Sequence, residues 1–236
     1  MLSSKHIQPY RIAFIEYTVG HEDINLFENL FCSVMGFQKV NEFVSCNSKR
    51  HSVYSFNCTQ IVLSEDLSSY ENQSAVISGI GFHLNINDAK SHFSDDKNEY
   101  HIELYKNQLV KRALELDINA SPQNSGNHLL SQSIKVAGIN LYFTNNKKSN
   151  AYKNINLLIK EDTTLASKLT KTNDNNLSKN TVWMKDLHLH HCALYVNQDD
   201  RKTLSNFFKH CLQMKLGLSY ILPEAELEVF PYKVNR

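Results

Sequence analysis

The sequence contains no Cys-x-x-Cys pair: its five cysteines, Cys32, Cys46, Cys58, Cys192 and Cys211, are odd in number and scattered. Three of them lie inside apolar periodic runs, where free cysteine behaves as a small hydrophobe. Neither a disulfide framework nor a zinc finger is expected. An excess of one charge is also lacking, since 25 Lys and Arg face 24 Asp and Glu for a formal net charge of +1. The longest basic block is Lys147-Lys148, so no field is available to steer nucleic acid or an anionic membrane surface. No uninterrupted apolar run approaches the ~18 residues that a bilayer span requires. Met1 to Pro9 is short and polar, without the apolar core of a signal peptide. The expectation is a cytoplasmic protein with neither nucleic-acid nor membrane partners. A Gly-rich phosphate loop and a Gly-x-Ser-x-Gly elbow are missing as well, and with them the phosphate-cradle and nucleophile-elbow chemistries those motifs carry.

What the sequence does have is histidine. Of eleven, three fall within four positions, His188, His190 and His191, in the run from Asp186 to Val196. Histidine is the commonest protein metal ligand. On a strand, His188 and His190 project to one face and His191 to the other. A His-x-His chelate and a solvent-facing pair therefore both fit the first two. His83, two residues after Gly81, is a further candidate ligand, with a core or groove histidine as the alternative. Glu16 stands between Ile15 and Tyr17 in an apolar strand, either as a ligand or base with a perturbed pKa or as a structural carboxylate paired at a sheet edge. Cys192 and His191 are neighbours on a strand and point apart, which argues against a Cys/His nucleophile. No residue is assigned as catalytic.

Read in order, Tyr10 to Val19 is a β-rich run apolar on both faces. Asp23 to Met35 carries a helical stripe of Ile24, Phe27, Leu30, Phe31 and Val34, closed by Gly36. Three strands follow, over 37–46, 51–58 and 60–64, giving one βαβββ unit. A second unit begins with a strand over 77–86 and a helix over 99–116, in which Ile102, Tyr105, Leu109, Ala113 and Leu116 share a face. Residues 121–126 read as loop. Strands over 129–134 and 136–143 complete the unit, with a bulge at Ala137-Gly138. Residues 145–179 have linker composition with one strand-sized cluster at 155–159. The pattern then restarts with a strand (187–196) and a helix (201–214). The closing Met214-Lys215-Leu216-Gly217-Leu218 echoes Val34-Met35-Gly36-Phe37, a sign of repeated units. One further strand, 227–234, is interrupted by Pro231.

This ordered set resembles the vicinal-oxygen-chelate superfamily, and within it the family of 4-hydroxyphenylpyruvate dioxygenase and 4-hydroxymandelate synthase. The likeness is carried by Phe14-Ile15-Glu16-Tyr17 with Val34-Met35-Gly36-Phe37, and by Ser48 through Phe56. It continues through Gly81-Phe82-His83-Leu84-Asn85-Ile86 with Arg112-Ala113-Leu114-Glu115-Leu116, and through Ile134 to Phe143. Leu189-His190-His191 falls where the family's catalytic domain begins. The resemblance implies an α+β fold of paired βαβββ modules forming a curved mixed sheet, plus a partial third module. It divides the chain into an N-terminal domain (1–148), a polar linker (149–185) and the start of a catalytic domain (186–236).

The resemblance also implies a non-haem Fe(II) held by two histidines and a carboxylate, with open positions for an aromatic 2-oxo acid and dioxygen. The first ligand falls on His191, with His188, His190 and His83 as alternatives. The second histidine and the glutamate have no counterpart in these 236 residues. Two functions are therefore weighed. One is an aromatic 2-oxo acid dioxygenase whose site a second chain or a rearranged third module completes. The other is a non-catalytic scaffold that binds a small aromatic molecule or a protein partner. The unpaired strands of a half module would expose sheet edges, so a homo-oligomer is expected.

Overall fold

The structure, a computed structural model, describes residues 7–44, 49–56, 59–66, 75–85, 95–124, 132–144, 192–223 and 227–233. The chain folds as α+β around one curved, mixed, eight-stranded sheet. Strand β1 (Gln8–Val19) is followed by helix α1 (Ile24–Asn29), a π turn (Leu30–Val34), and strands β2 (Gln38–Val44), β3 (Lys49–Phe56) and β4 (Thr59–Asp66). Then come β5 (Val76–Asn85), helix α2 (Asp95–Glu115), β6 (Ala120–Asn124), β7 (Gln132–Val136) and β8 (Ile139–Thr144). The sheet order is β2-β3-β4-β1-β5-β8-β7-β6. Each half has the same wiring: the first strand lies parallel to the last, β1 with β4 and β5 with β8, and the halves join through antiparallel β1 and β5. These are the two βαβββ units read from the sequence.

Alternation along the central strands separates two faces. Ile15 lies opposite both Ile61 and Ile80, and this row belongs to the helix side. In the first half, Ile61 and Leu63 pack with Phe31 and Phe37. In the second half, Ile80 and Phe82 pack with Tyr105, Leu109 and Ala113 of α2. The neighbouring row, Phe14 and Glu16, points to the face turned away from α1 and α2.

Three expectations are corrected in the second half. Residues 120–124, read as loop, form β6 paired with β7. Pro122 is compatible with this because β6 is an edge strand, where a missing N–H costs no ladder bond. The Ala137-Gly138 pair is a two-residue hairpin turn and not a bulge: both residues have positive φ, 47° and 80°, as a type I′ turn demands. Leu116 is exposed. The helix ends one residue earlier, at Glu115, and closes where Asp117 adopts φ 54° and Ile118 donates its N–H to the Ala113 carbonyl at 2.9 Å. Ile118 takes the buried position instead.

The C-terminal segment adds helix α3 (Gln198–Asn206), a second π turn (Phe207–Cys211) and short strands β9 (Lys215–Leu216), β10 (Tyr220–Leu222), β11 (Leu227–Val229) and β12 (Tyr232–Lys233). Asn197 caps α3, its side chain accepting from the Asp200 N–H at 2.8 Å and so satisfying one free helix-end donor. Residues 192–196, expected as the end of a strand, have no regular structure. The repeat is real, but its register differs from the sequence reading. Met35 N–H donates to Leu30 O and Phe37 N–H to Phe31 O, and the same pair of bonds links Leu212 to Phe207 and Met214 to Phe208. Gly36 (φ 76°) therefore corresponds to Gln213 (φ 55°), four residues before Gly217. The apolar face of this segment packs on the second module: Leu204, Phe207, Phe208, Cys211 and Leu212 share one cluster with Tyr105 and Leu109. Arg112 Nη1 also donates to the Cys211 carbonyl at 3.1 Å.

Candidate functional site

The face of the sheet opposite α1 and α2 carries a buried polar cluster drawn from strands β1, β3, β4 and β8. Glu16 stands on β1, with 4% of its surface exposed. Its Oε1 accepts a hydrogen bond from Ser64 Oγ of β4 at 2.6 Å. Its Oε2 accepts from the Tyr142 hydroxyl of β8 at 2.7 Å. Ser64 Oγ is 2.7 Å from His51 Nδ1 of β3. Since Ser64 spends its proton on Glu16, the network closes with His51 Nδ1–H donating to Ser64. The Glu16 and His51 side chains approach to 3.9 Å. Burial, the Glu16 charge and the Glu16 hydrogen bond all push the Tyr142 phenol well above its ordinary pKa, so it stays a donor.

Tyr142 reaches Glu16 across β5, and two glycines make the crossing possible. A Cβ at Gly79 would lie 2.6 Å from Glu16 Oε2 and 2.7 Å from the Tyr142 ring. A Cβ at Gly81 would lie 2.3 Å from the Phe14 ring. With neither present, the Phe14 and Tyr142 rings pack over bare backbone, centroids 5.3 Å apart.

Beside this cluster is a second polar group. Arg11 pairs across the strands with His83, and Arg11 Nη2 lies 3.3 Å from His83 Nε2. The Arg11 guanidinium also sits over the Tyr10 ring, 5.6 Å from its centroid. His83 is buried, and burial together with the Arg11 charge pulls its pKa down to about 3. It is a neutral imidazole at pH 7.

The candidate residues distribute as follows. His83 is a buried histidine whose Nε2 faces a guanidinium, an arrangement hostile to a cation. Glu16 lies on a central strand and is held by hydroxyls, not paired at a sheet edge. His188, His190 and His191 lie outside the described residues. Burial raises Cys192 to a pKa of about 11, far from a thiolate at neutral pH. The sequence reading missed Tyr142, Ser64 and the role of His51. The available signal was the Gly79-x-Gly81 alternation in an otherwise apolar strand, which marks a face that another side chain crosses.

Among the described residues no three His, Cys, Asp or Glu side chains come together as a metal-holding group. Without a third ligand beside Glu16 and His51, the described site does not fit Fe(II). No helix among the described residues is long and apolar enough to cross a membrane.

No protein-family model and no curated protein matches the chain. Solved structures do match. A mutant of 4-hydroxymandelate synthase from Streptomyces coelicolor aligns over 96% of this chain and 59% of its own, at 13% identity and a TM-score of 0.56. Homoprotocatechuate 2,3-dioxygenase from Brevibacterium fuscum, in complex with 3,4-dihydroxyphenylacetate, aligns over 59% of this chain and 37% of its own, at 16% identity and a TM-score of 0.34. The chain thus spans about three fifths of the length of the synthase, whose α+β fold it shares.

Proposed function

We propose that this chain is a 4-hydroxyphenylpyruvate dioxygenase-like protein acting on an aromatic 2-oxo acid. Residues 1–148 would be its two-module N-terminal domain, 149–185 a polar linker and 186–236 the opening of a catalytic domain. The observation that carries the reading is the alignment with 4-hydroxymandelate synthase over 96% of this chain, at a TM-score of 0.56. It is supported by the order of elements: two joined βαβββ units, then a helix and π turn that repeat the first.

His191 is the residue assigned to Fe(II), with His188 and His190 as alternatives. The described residues supply no further ligands, so the remaining histidine and carboxylate would come from a second chain or from a rearranged third module. A cytoplasmic location belongs to the same reading. The test is oxygen uptake by the full chain with 4-hydroxyphenylpyruvate after anaerobic addition of Fe(II). Substrate-dependent uptake that His191→Ala abolishes is the expected result, and uptake unaffected by that substitution refutes the assignment.

One observation favours a second reading, a metal-free scaffold that binds a small aromatic molecule or a protein. The buried carboxylate of the described site accepts from two hydroxyls and has no group of further ligands around it among the described residues, as in a structural core. Under this reading the chain binds an aromatic 2-oxo acid or another partner equally well with and without Fe(II), as calorimetry would register.

A further inference from the structure

We propose that the sheet face opposite α1 and α2 holds a binding site for the carboxylate of a small organic anion, formed by Arg11, His83 and Gln60 around Phe14. Register places the four residues on one face, with Gln60 and His83 flanking β1 from either side. Phe14 lies directly opposite Gln60 on β4 and opposite Gly81 on β5, while Arg11 lies opposite His83. Directly paired residues share a face. His83 is two residues from Gly81, hence on that face as well. The β1 bulge at Ala13 keeps Arg11 and Phe14 on one side.

Three side-chain nitrogens here, Arg11 Nε, Gln60 Nε2 and His83 Nδ1, are buried and have no hydrogen-bond partner among the described residues. His83 and Gln60 are 2% and 1% exposed. All three nitrogens are donors. A guanidinium can only donate, so His83 Nε2 accepts from Arg11 and the ring proton resides on Nδ1. The contacts of Arg11 are with His83 and the Tyr10 ring, and among the described residues no carboxylate is paired with it. Glu16, the buried carboxylate of the same face, is occupied by Ser64 and Tyr142.

A buried donor left unpaired is costly, and this patch keeps three beside a permanent positive charge. A carboxylate is an acceptor only, with two oxygens and room for several donors. Because His83 is neutral, the patch carries one positive charge, which suits a monoanion better than a phosphate. The rings of Phe14 and Tyr10 supply apolar surface for an aromatic or aliphatic body. The site needs neither iron nor His191, so it stands or falls apart from the dioxygenase reading.

The test titrates the 15N-labelled full chain with benzoate and, as a neutral mimic, benzamide, with nuclear magnetic resonance detection. Benzoate is expected to shift the His83 Nδ1–H and the amides of Arg11, Phe14, Gln60 and His83. Benzamide should bind about tenfold more weakly or worse. Arg11→Met and His83→Phe should each lower benzoate affinity by about tenfold or more, with His83→Gln, which restores a donor, losing less. Equal affinity for benzamide, shifts confined to other residues, or a His83 ring protonated at Nε2 in the free protein would each overturn the proposal. If a variant does not fold, the benzoate–benzamide comparison and the ring tautomer decide it on the unmodified chain.

Discussion

The polar residues that matter most lie where the sheet has least side chain. Gly79 lets Tyr142 and Glu16 meet across β5. Gly79→Ala forces that contact apart and also brings its Cβ to 3.1 Å from the Asn140 carbonyl. Overpacking of this kind costs about 1–3 kcal/mol, so a lower midpoint in urea is expected with an unchanged m-value. His83 adds a pH dependence. Its pKa is about 3 in the folded chain against an ordinary 6.5, so the fold binds fewer protons than the unfolded chain between those values. The stability from its neutral form is complete above about pH 6.5 and declines as pH falls toward 3. The slope reaches at most about 1.4 kcal/mol per pH unit. Urea titrations across that range should show the decline in the unmodified chain and a shallower one in His83→Gln. Equal slopes in the two proteins would show that another group carries it.

At the scale of elements, periodicity made the long pieces legible. Both central strands and α2 announced themselves through apolar alternation and a helical stripe, because burial against two layers leaves a strong pattern. What the sequence hid were short pieces whose geometry depends on partners. Strand β6 contains Pro122 and polar residues, so only its pairing with β7 makes it a strand. The second π turn ends on Gln213 in a conformation where Gly36 stands in the first, and an alignment led by glycine therefore slipped to Gly217. Tyr142, Ser64 and His51 were hidden because they converge from three different strands. The third helix is not an appendage. Phe207 is fully buried and packs in the same cluster as Tyr105 and Leu109 of α2. Phe207→Ala should cost about 3–5 kcal/mol and lower the thermal midpoint of the whole chain in a single transition. A separate low-temperature transition, with the rest of the chain unchanged, would instead mark the segment as an independent unit.

For the molecule as a whole, the architecture is that of two fused βαβββ modules with a third begun against the second, as the sequence order implied. The iron chemistry was implied only by resemblance, and it rests on His191 and not on the sheet face described above. Glu16 and His51 are joined in one hydrogen-bonded network and His83 faces Arg11, and among the described residues no group of three ligands forms. The dioxygenase reading therefore makes a single sharp demand, an iron whose retention depends on His191. The most direct measurement is metal content by elemental analysis of the anaerobically purified chain, compared with His191→Ala. The account predicts stoichiometric iron, per chain or per assembled oligomer, that the substitution removes. Absence of iron after anaerobic loading, or equal iron in the two proteins, would contradict it and leave the metal-free binding scaffold.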